Sequence, residues 1–209
     1  MKIKQFNIIF IILVFFACVK KQENQQIQEQ IGKILFFEGN VTINNQLIQN
    51  NDHKIQYGDI IKTAEKSKIR FIIKDGLIIQ LNQNSEFTLN YENKKFNLKL
   101  KKGWIAAVKN QDENQMDIEI PTAVASVRGT SICFKIESEN SNYACTCNGK
   151  LHWHTKDGQM IEVAGEHHSA RRFKEIDGKI QIEEAGIEYH NDNIIKDLAK
   201  EINHTLNWE

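Results

Sequence analysis

The chain has 209 residues with 27 basic and 27 acidic side chains, 41% hydrophobic content and a single proline, enough apolar material for one domain with a sizeable core. Its basic residues are spread along the chain rather than gathered on one segment, which excludes the electrostatic grip that nucleic-acid binding needs. Loss of Lys2 and Lys4 with a cleaved leader would leave a nearly neutral body, so net charge does not steer a partner either.

Lys2 and Lys4 precede an apolar run from Ile8 to Ala17, long enough for the hydrophobic region of an export signal and shorter than the about 20 residues that span a bilayer. The run ends Val14-Phe15-Phe16-Ala17-Cys18, which resembles a bacterial lipobox with Phe15 where leucine is usual. The resemblance implies that residues 1–17 are a signal peptide and that Cys18 is lipidated. Several acyl chains, at roughly 0.8 kcal/mol per buried methylene, would then hold the protein stably on a membrane. Residues 18–30 continue as a Gln-rich polar tether with little that could pack. Val19 is not the aspartate that retains many lipoproteins at the inner membrane, which points toward the outer one.

From Gly32 to about Phe173 short alternating apolar runs are separated by turn residues, the pattern of an antiparallel β-sandwich or solenoid-like domain. Strands are expected at Val41–Ile43, Ile60–Thr63, Lys68–Ile73 and Leu77–Leu81, the last two joined by a tight turn at Asp75-Gly76. Phe87–Leu89, Phe96–Leu100 and Trp104–Val108 follow, with Gly103 turning the chain. In Phe96–Leu100 the apolar Phe96, Leu98 and Leu100 alternate with Asn97 and Lys99, so one face is buried and one is wet. Then comes Ile120 to Phe134, IPTAVASVRGTSICF, where an apolar strand breaks into Arg128-Gly129-Thr130 and resumes.

That run is similar to the signature of the FecR family of envelope proteins. Gly39-Asn40-Val41, Gly58-Asp59-Ile60 through Thr63, the Asp-Gly turn and the strand after Gly103 resemble the family in order and spacing. The resemblance implies a mainly β, FecR-like domain over residues 31–173 and a non-enzymatic role in sensing or scaffolding with an envelope protein partner. Family members in the strict sense add a cytoplasmic segment and a membrane span that relay a signal to a sigma factor; this chain reads as the periplasmic portion alone, tied to a membrane by lipid. Arg128 is expected to bond turn carbonyls or Asp75 and fix the strand crossing.

Cys145 to His168, CTCNGKLHWHTKDGQMIEVAGEHH, is the chemically unusual stretch. A hairpin turn at Asn148-Gly149 would put Cys145 opposite His152 and Cys147 opposite Lys150, so that Cys145, Cys147, His152 and His154 share one face with Leu151 and Trp153 on the other. A preceding hairpin near Glu139-Asn140 would bring Cys133 close to Cys147. Two thiolates with nearby imidazoles suit Zn, Cu(I) or Fe, with His167 or His168 closing the ring and His190 as a further ligand; haem is a related option. A disulfide of Cys133 with Cys147 or Cys145 suits an oxidising compartment, and a strained Cys-x-Cys bridge would be redox-active. The plain alternative is small core cysteines with an exposed histidine face.

Residues 174–209 change character. Asn191 and Asp192 are good N-cap residues, and Ile194, Ile195, Leu198, Ala199 and Ile202 recur at helical spacing, predicting an amphipathic helix over 191–206 that covers a face or edge of the β domain. Catalysis is not indicated: Ser126, Ser131 and Ser169 have no base placed by a motif, and no phosphate-cradling loop occurs. The competing readings are a binding lipoprotein of the cell envelope, facing the periplasm or exterior; an envelope metal, haem or redox protein built on the cysteine cluster; and a component of FecR-type transmembrane signalling, which requires a separate membrane-spanning partner.

Overall fold

The computed structural model describes residues 30–74, 76–92, 95–110, 116–206 and 208. The signal peptide, Cys18, most of the tether and Asp75 lie outside them. In chain order the strands are β1 (Gln30–Glu38), β2 (Val41–Ile43), β3 (Gln46–Leu47), β4 (Lys54–Gln56), β5 (Ile60–Thr63), β6 (Lys68–Ile73), β7 (Leu77–Leu81), β8 (Glu86–Glu92), β9 (Lys95–Lys109), β10 (Met116–Ile120), β11 (Ala123–Val127), β12 (Ser131–Ser138), β13 (Ser141–Thr155), β14 (Met160–Gly165), β15 (Ser169–Ile176) and β16 (Lys179–Ala185), followed by helix α1 (Asp192–Glu201).

Two sheets face one another. The first runs β16-β15-β13-β12-β9-β7-β6-β1-β4 and the second β3-β2-β5-β8-β9-β10-β11-β13-β14. Their pairings are antiparallel except for β9 with β10. Side chains alternate as the pleat demands: Ile69, Phe71 and Ile73 of β6 and Met116, Ile118 and Ile120 of β10 point into the core, their neighbours outward. Trp153 lies at the centre, its ring centroid 5.2 Å from Phe134 and 4.6 Å from Phe173. Each such fully buried large side chain contributes on the order of 2–3 kcal/mol.

Both β9 and β13 belong to both sheets, and each bends at a glycine: Gly103 at φ 90° and Gly149 at φ 107°. A Cβ on Gly103 would fall 2.3 Å from Cα of Ser85, so the close approach and the left-handed backbone both require glycine. The turns expected at Gly103 and at Asn148-Gly149 are therefore bends inside continuous strands. A glycine flanked by apolar runs serves a sheet corner as readily as a hairpin.

Arg128 also behaves differently from expectation. Its side chain is exposed and hydrogen-bonds no described residue, while Asp75, the other expected partner, lies outside the described residues. The crossing is tied by the next residue instead: Thr130 Oγ1 lies 3.1 Å from the carbonyl of Lys150 and 3.0 Å from that of Arg128, and the Thr130 carbonyl accepts from Lys109 N at 3.2 Å.

The outer face of the first sheet carries a second apolar cluster, with Ile78, Trp104, Ala106, Val108, Cys133, Tyr143, Cys145 and Cys147, and α1 lies over it. Ile195, Leu198 and Ala199 are fully covered there. The Asn191 carboxamide caps the helix by accepting from Ile194 N at 3.2 Å. The helix ends at Glu201, earlier than the predicted 206, and β15–β16 form a hairpin across Asp177-Gly178 before it.

Candidate metal centre

On β13, Cys145 and Cys147 are two residues apart and so point to the same side, the outer face under α1, where both are fully buried. The connection after β14, which passes from the second sheet to the first, brings the first histidine. Gly165 packs so closely on β13 that a Cβ would sit 2.3 Å from the Thr146 carbonyl, and His168, at φ 59°, donates its backbone N–H to the Cys147 carbonyl at 3.0 Å. This seats its Nδ1 3.6 Å from Cys145 Sγ.

The second histidine arrives from the segment leading into α1. Tyr143 Oη donates to the Gly186 carbonyl at 3.1 Å and Trp104 Nε1 to the Tyr189 carbonyl at 3.0 Å, pinning that segment to the sheet. His190 Nε2 then lies 3.2 Å from Cys147 Sγ and 3.0 Å from His168 Nδ1, while its Nδ1 is buried without a partner. Asp192, in the first turn of α1, accepts from His168 Nε2 at 2.9 Å and sits 3.2 Å from His167 Nε2. With Nε2–H committed to that carboxylate, Nδ1 of His168 turns its lone pair toward the sulfurs.

The two thiols are pushed in opposite directions. A hydrogen bond from the Cys147 thiol, helped by His190 and His168, pulls Cys145 down to about 4 against the cost of burial. Burial, and then the neighbouring Cys145, push Cys147 well up. Burial likewise raises Cys133. Asp192 is held down at about 2, first by the His168 hydrogen bond and then by that of His167. One atom each from Cys145, Cys147, His168 and His190 lie within 4.8 Å of one another, a dry group of two sulfurs and two imidazole nitrogens.

This group sits at the edge of a recognisable domain. Residues 59–151 match the family described as FecR protein. They are a FecR domain. Two crystal structures from Parabacteroides distasonis ATCC 8503, each described as an anti-sigma factor candidate, share the fold at 14% identity. One, at 1.65 Å resolution, gives a TM-score of 0.53 over 69% of this chain and 74% of that one. The other, at 2.50 Å, gives 0.51 over 60% and 59%. A search of curated proteins finds no match. Cys145 and Cys147 lie inside the FecR domain, whereas His168, His190 and Asp192 lie beyond it.

The seven metal-ligand candidates divide cleanly. Cys145, Cys147, His168 and His190 come together; His167 stands at the margin, touching Asp192 and stacking on Trp208 at 4.8 Å. His152 and His154 go elsewhere. Because β13 bends at Gly149 and does not reverse, they project from the exposed face of the second sheet, on the opposite side of the sandwich, and His152 Nδ1 lies 3.6 Å from Glu162. Leu151 and Trp153 do point away from them, into the core. The register of the β12–β13 hairpin, which shifts between Ile136 and Ser138, alters the expected pairing: Cys133 stands opposite Cys145, not Cys147, and all three are free thiols.

Asp192 and Trp208 are part of the site and were not expected there. Asp192 read only as a helix cap, and the Trp208 ring, 5.1 Å from His168, gave no signal in a terminal segment.

Proposed function

We propose that the protein is a non-enzymatic, lipid-anchored envelope protein that senses or scaffolds by binding an envelope protein partner. The FecR domain at residues 59–151 carries this reading, since the family is regulatory in kind. In it, residues 1–17 direct export, Cys18 bears the lipid, and the tether to residue 30 holds the sandwich clear of a membrane, most simply the outer one, facing the periplasm or exterior. Among the described residues no helix is long and apolar enough to cross a membrane. In this reading relay of a signal inward falls to a membrane-spanning partner.

The test uses the full chain and Cys18→Ser in cells fed a clickable fatty acid, with cross-linking through exposed lysines. Label on the wild type alone, membrane fractionation and a cross-link to a membrane-spanning protein support the proposal. A cytosolic product that keeps residues 1–17 overturns it, as do cross-links solely to copies of the chain.

A second reading, an envelope metal, haem or redox protein, is favoured by the convergence of Cys145, Cys147, His168 and His190. Three of their donor–donor contacts are 3.0–3.6 Å, close enough for one small ion to be shared among them.

A further inference from the structure

We propose that Cys145, Cys147, His168 and His190 bind one Zn²⁺ ion, and that this ion clasps the C-terminal helix onto the outer face of the FecR sheet. Three of the donor–donor distances come close to the edges of a tetrahedron around a single ion, and all four donors lie within 4.8 Å of one another. Zinc–sulfur and zinc–nitrogen bonds of about 2.3 and 2.0–2.1 Å give tetrahedral edges of about 3.3–3.8 Å. The contacts here are 3.6 Å for Cys145 with His168, 3.2 Å for Cys147 with His190, and 3.0 Å between the imidazoles. An ion entering among them moves donors by a few tenths of an ångström, within the reach of side-chain torsions.

The surroundings favour the same ion. Two sulfurs and two imidazoles with no oxygen donor disfavour Mg²⁺ and Ca²⁺, and a closed mixed set of four suits Zn²⁺ better than Cu(I), which prefers sulfur. Asp192 on Nε2 of His168 is the carboxylate partner that orients a ligating imidazole. The plain alternative, core cysteines beneath exposed histidines, does not describe this site: the His168 side chain is 1% exposed and His190 9%. Two imidazoles have been brought under cover, at the cost of their hydration, to meet two sulfurs.

The clasp follows from where the ligands come from. Cys145 and Cys147 belong to the sheet, His168 to the turn before β15, and His190 to the residue before the cap of α1. Lifting α1 withdraws His190 and Asp192 together, so zinc affinity and helix docking are linked. If the lifted state does not bind, free zinc at about one hundred times its dissociation constant suppresses helix opening about a hundredfold.

The experiment takes the full chain, purified in detergent without a histidine tag or chelator. Elemental analysis should give one zinc per chain, and Co²⁺ exchanged into the site should show thiolate charge-transfer and tetrahedral ligand-field bands. Chelation should then speed amide exchange in 192–202 about a hundredfold, leaving β7 and β9 protected. Cys145→Ser and His190→Gln should lose the metal, while His152→Gln keeps it. Because Cys145→Ser could unfold the sheet, the chelated wild type, checked by circular dichroism, is the second arm. Absence of stoichiometric metal, copper or iron in place of zinc, a disulfide between Cys133 and Cys145, or helix protection indifferent to zinc each overturns the proposal.

Discussion

Replacing Leu198 with alanine tests whether α1 is held by burial as described. Leu198 is fully covered, in one apolar cluster with Ile78, Trp104, Ala106 and Val108 on the sheet, Ile195 and Ala199 on its own helix and Ile202 at the C-cap. The substitution removes three carbons, about 2.4 kcal/mol of transfer free energy at about 0.8 kcal/mol each, and the cavity brings the total to about 3–4 kcal/mol. A helix of ten residues is marginal alone in water, so once undocked it melts. The loss should therefore appear first as local opening. Native-state hydrogen exchange is the assay: amides of 195–202 should exchange about two to three orders of magnitude faster, at about 1.4 kcal/mol per decade, while those of β9 and β12 change little. Helix amides that exchange as in the wild type would show that the apolar contact does not hold α1. Uniform acceleration through the sheets would show that the helix is no separate unit.

Glu137 supplies a pH-dependent test. Burial resists its charge, but hydrogen bonds from Arg172 at 2.9–3.1 Å, Ser141 at 2.6 Å and Tyr189 at 2.7 Å outweigh this and lower its pKa. A carboxylate with a depressed folded-state pKa stabilises fully above its unfolded value, about 4.3, and loses that contribution as the pH falls through the folded one. Glu137→Gln should cost about 1–2 kcal/mol in urea denaturation at pH 7, the partly open rim limiting the effect, and the gap from wild type should narrow by pH 3. A gap unchanged with pH would remove the charge from the explanation. Glycine geometry gives a paired comparison. Gly103→Ala sets a Cβ 2.3 Å from Ser85 Cα and displaces the Ser85 Oγ that accepts from Trp104 N at 3.0 Å, for a loss of about 3 kcal/mol or more. Gly178→Ala has a similar φ of 72° but open space around the Cβ, so only about 1 kcal/mol of backbone strain applies. Equal shifts in thermal midpoint would refute the steric account.

The β architecture was legible because pleat periodicity is local. Val41–Ile43, Ile60–Thr63, Lys68–Ile73 and Leu77–Leu81 show in the sequence and are strands with those bounds. What failed was direction. Gly103 and Gly149 announce a special backbone angle, but whether the chain reverses or passes to the facing sheet depends on contacts with Ser85 and Thr130, far away in sequence. That ambiguity moved His152 and His154 to the wrong side of the sandwich. A separate irregularity, the register shift between Ile136 and Ser138 in β12, sets Cys133 opposite Cys145 instead of Cys147. The cysteine pair itself was readable, since residues two apart on a strand share a face whichever way the strand runs. His190 was reachable only as an outlier beside a cap, and Asp192 not at all, because the cap explained it completely.

The two ends of α1 are fastened by unequal means, and this decides how the C-terminal extension can respond. At its far end Glu201 meets Arg70 at 3.6 Å, an ion pair with the carboxylate about half exposed, of a kind that contributes about 0–1 kcal/mol. Its near end enters a buried cluster in which His190 and Asp192 contact groups from both the FecR domain and the β14–β15 turn. Between them lies an apolar seam that is non-directional and fixes area rather than angle. The helix position is therefore set where sulfur and imidazole meet. A chemical change at Cys145 or Cys147 that repels His190 acts on the first residues of the helix and has only a weak surface ion pair to oppose it at the last. Chemistry at the edge of the FecR domain is thereby coupled to how much of its outer sheet face is exposed.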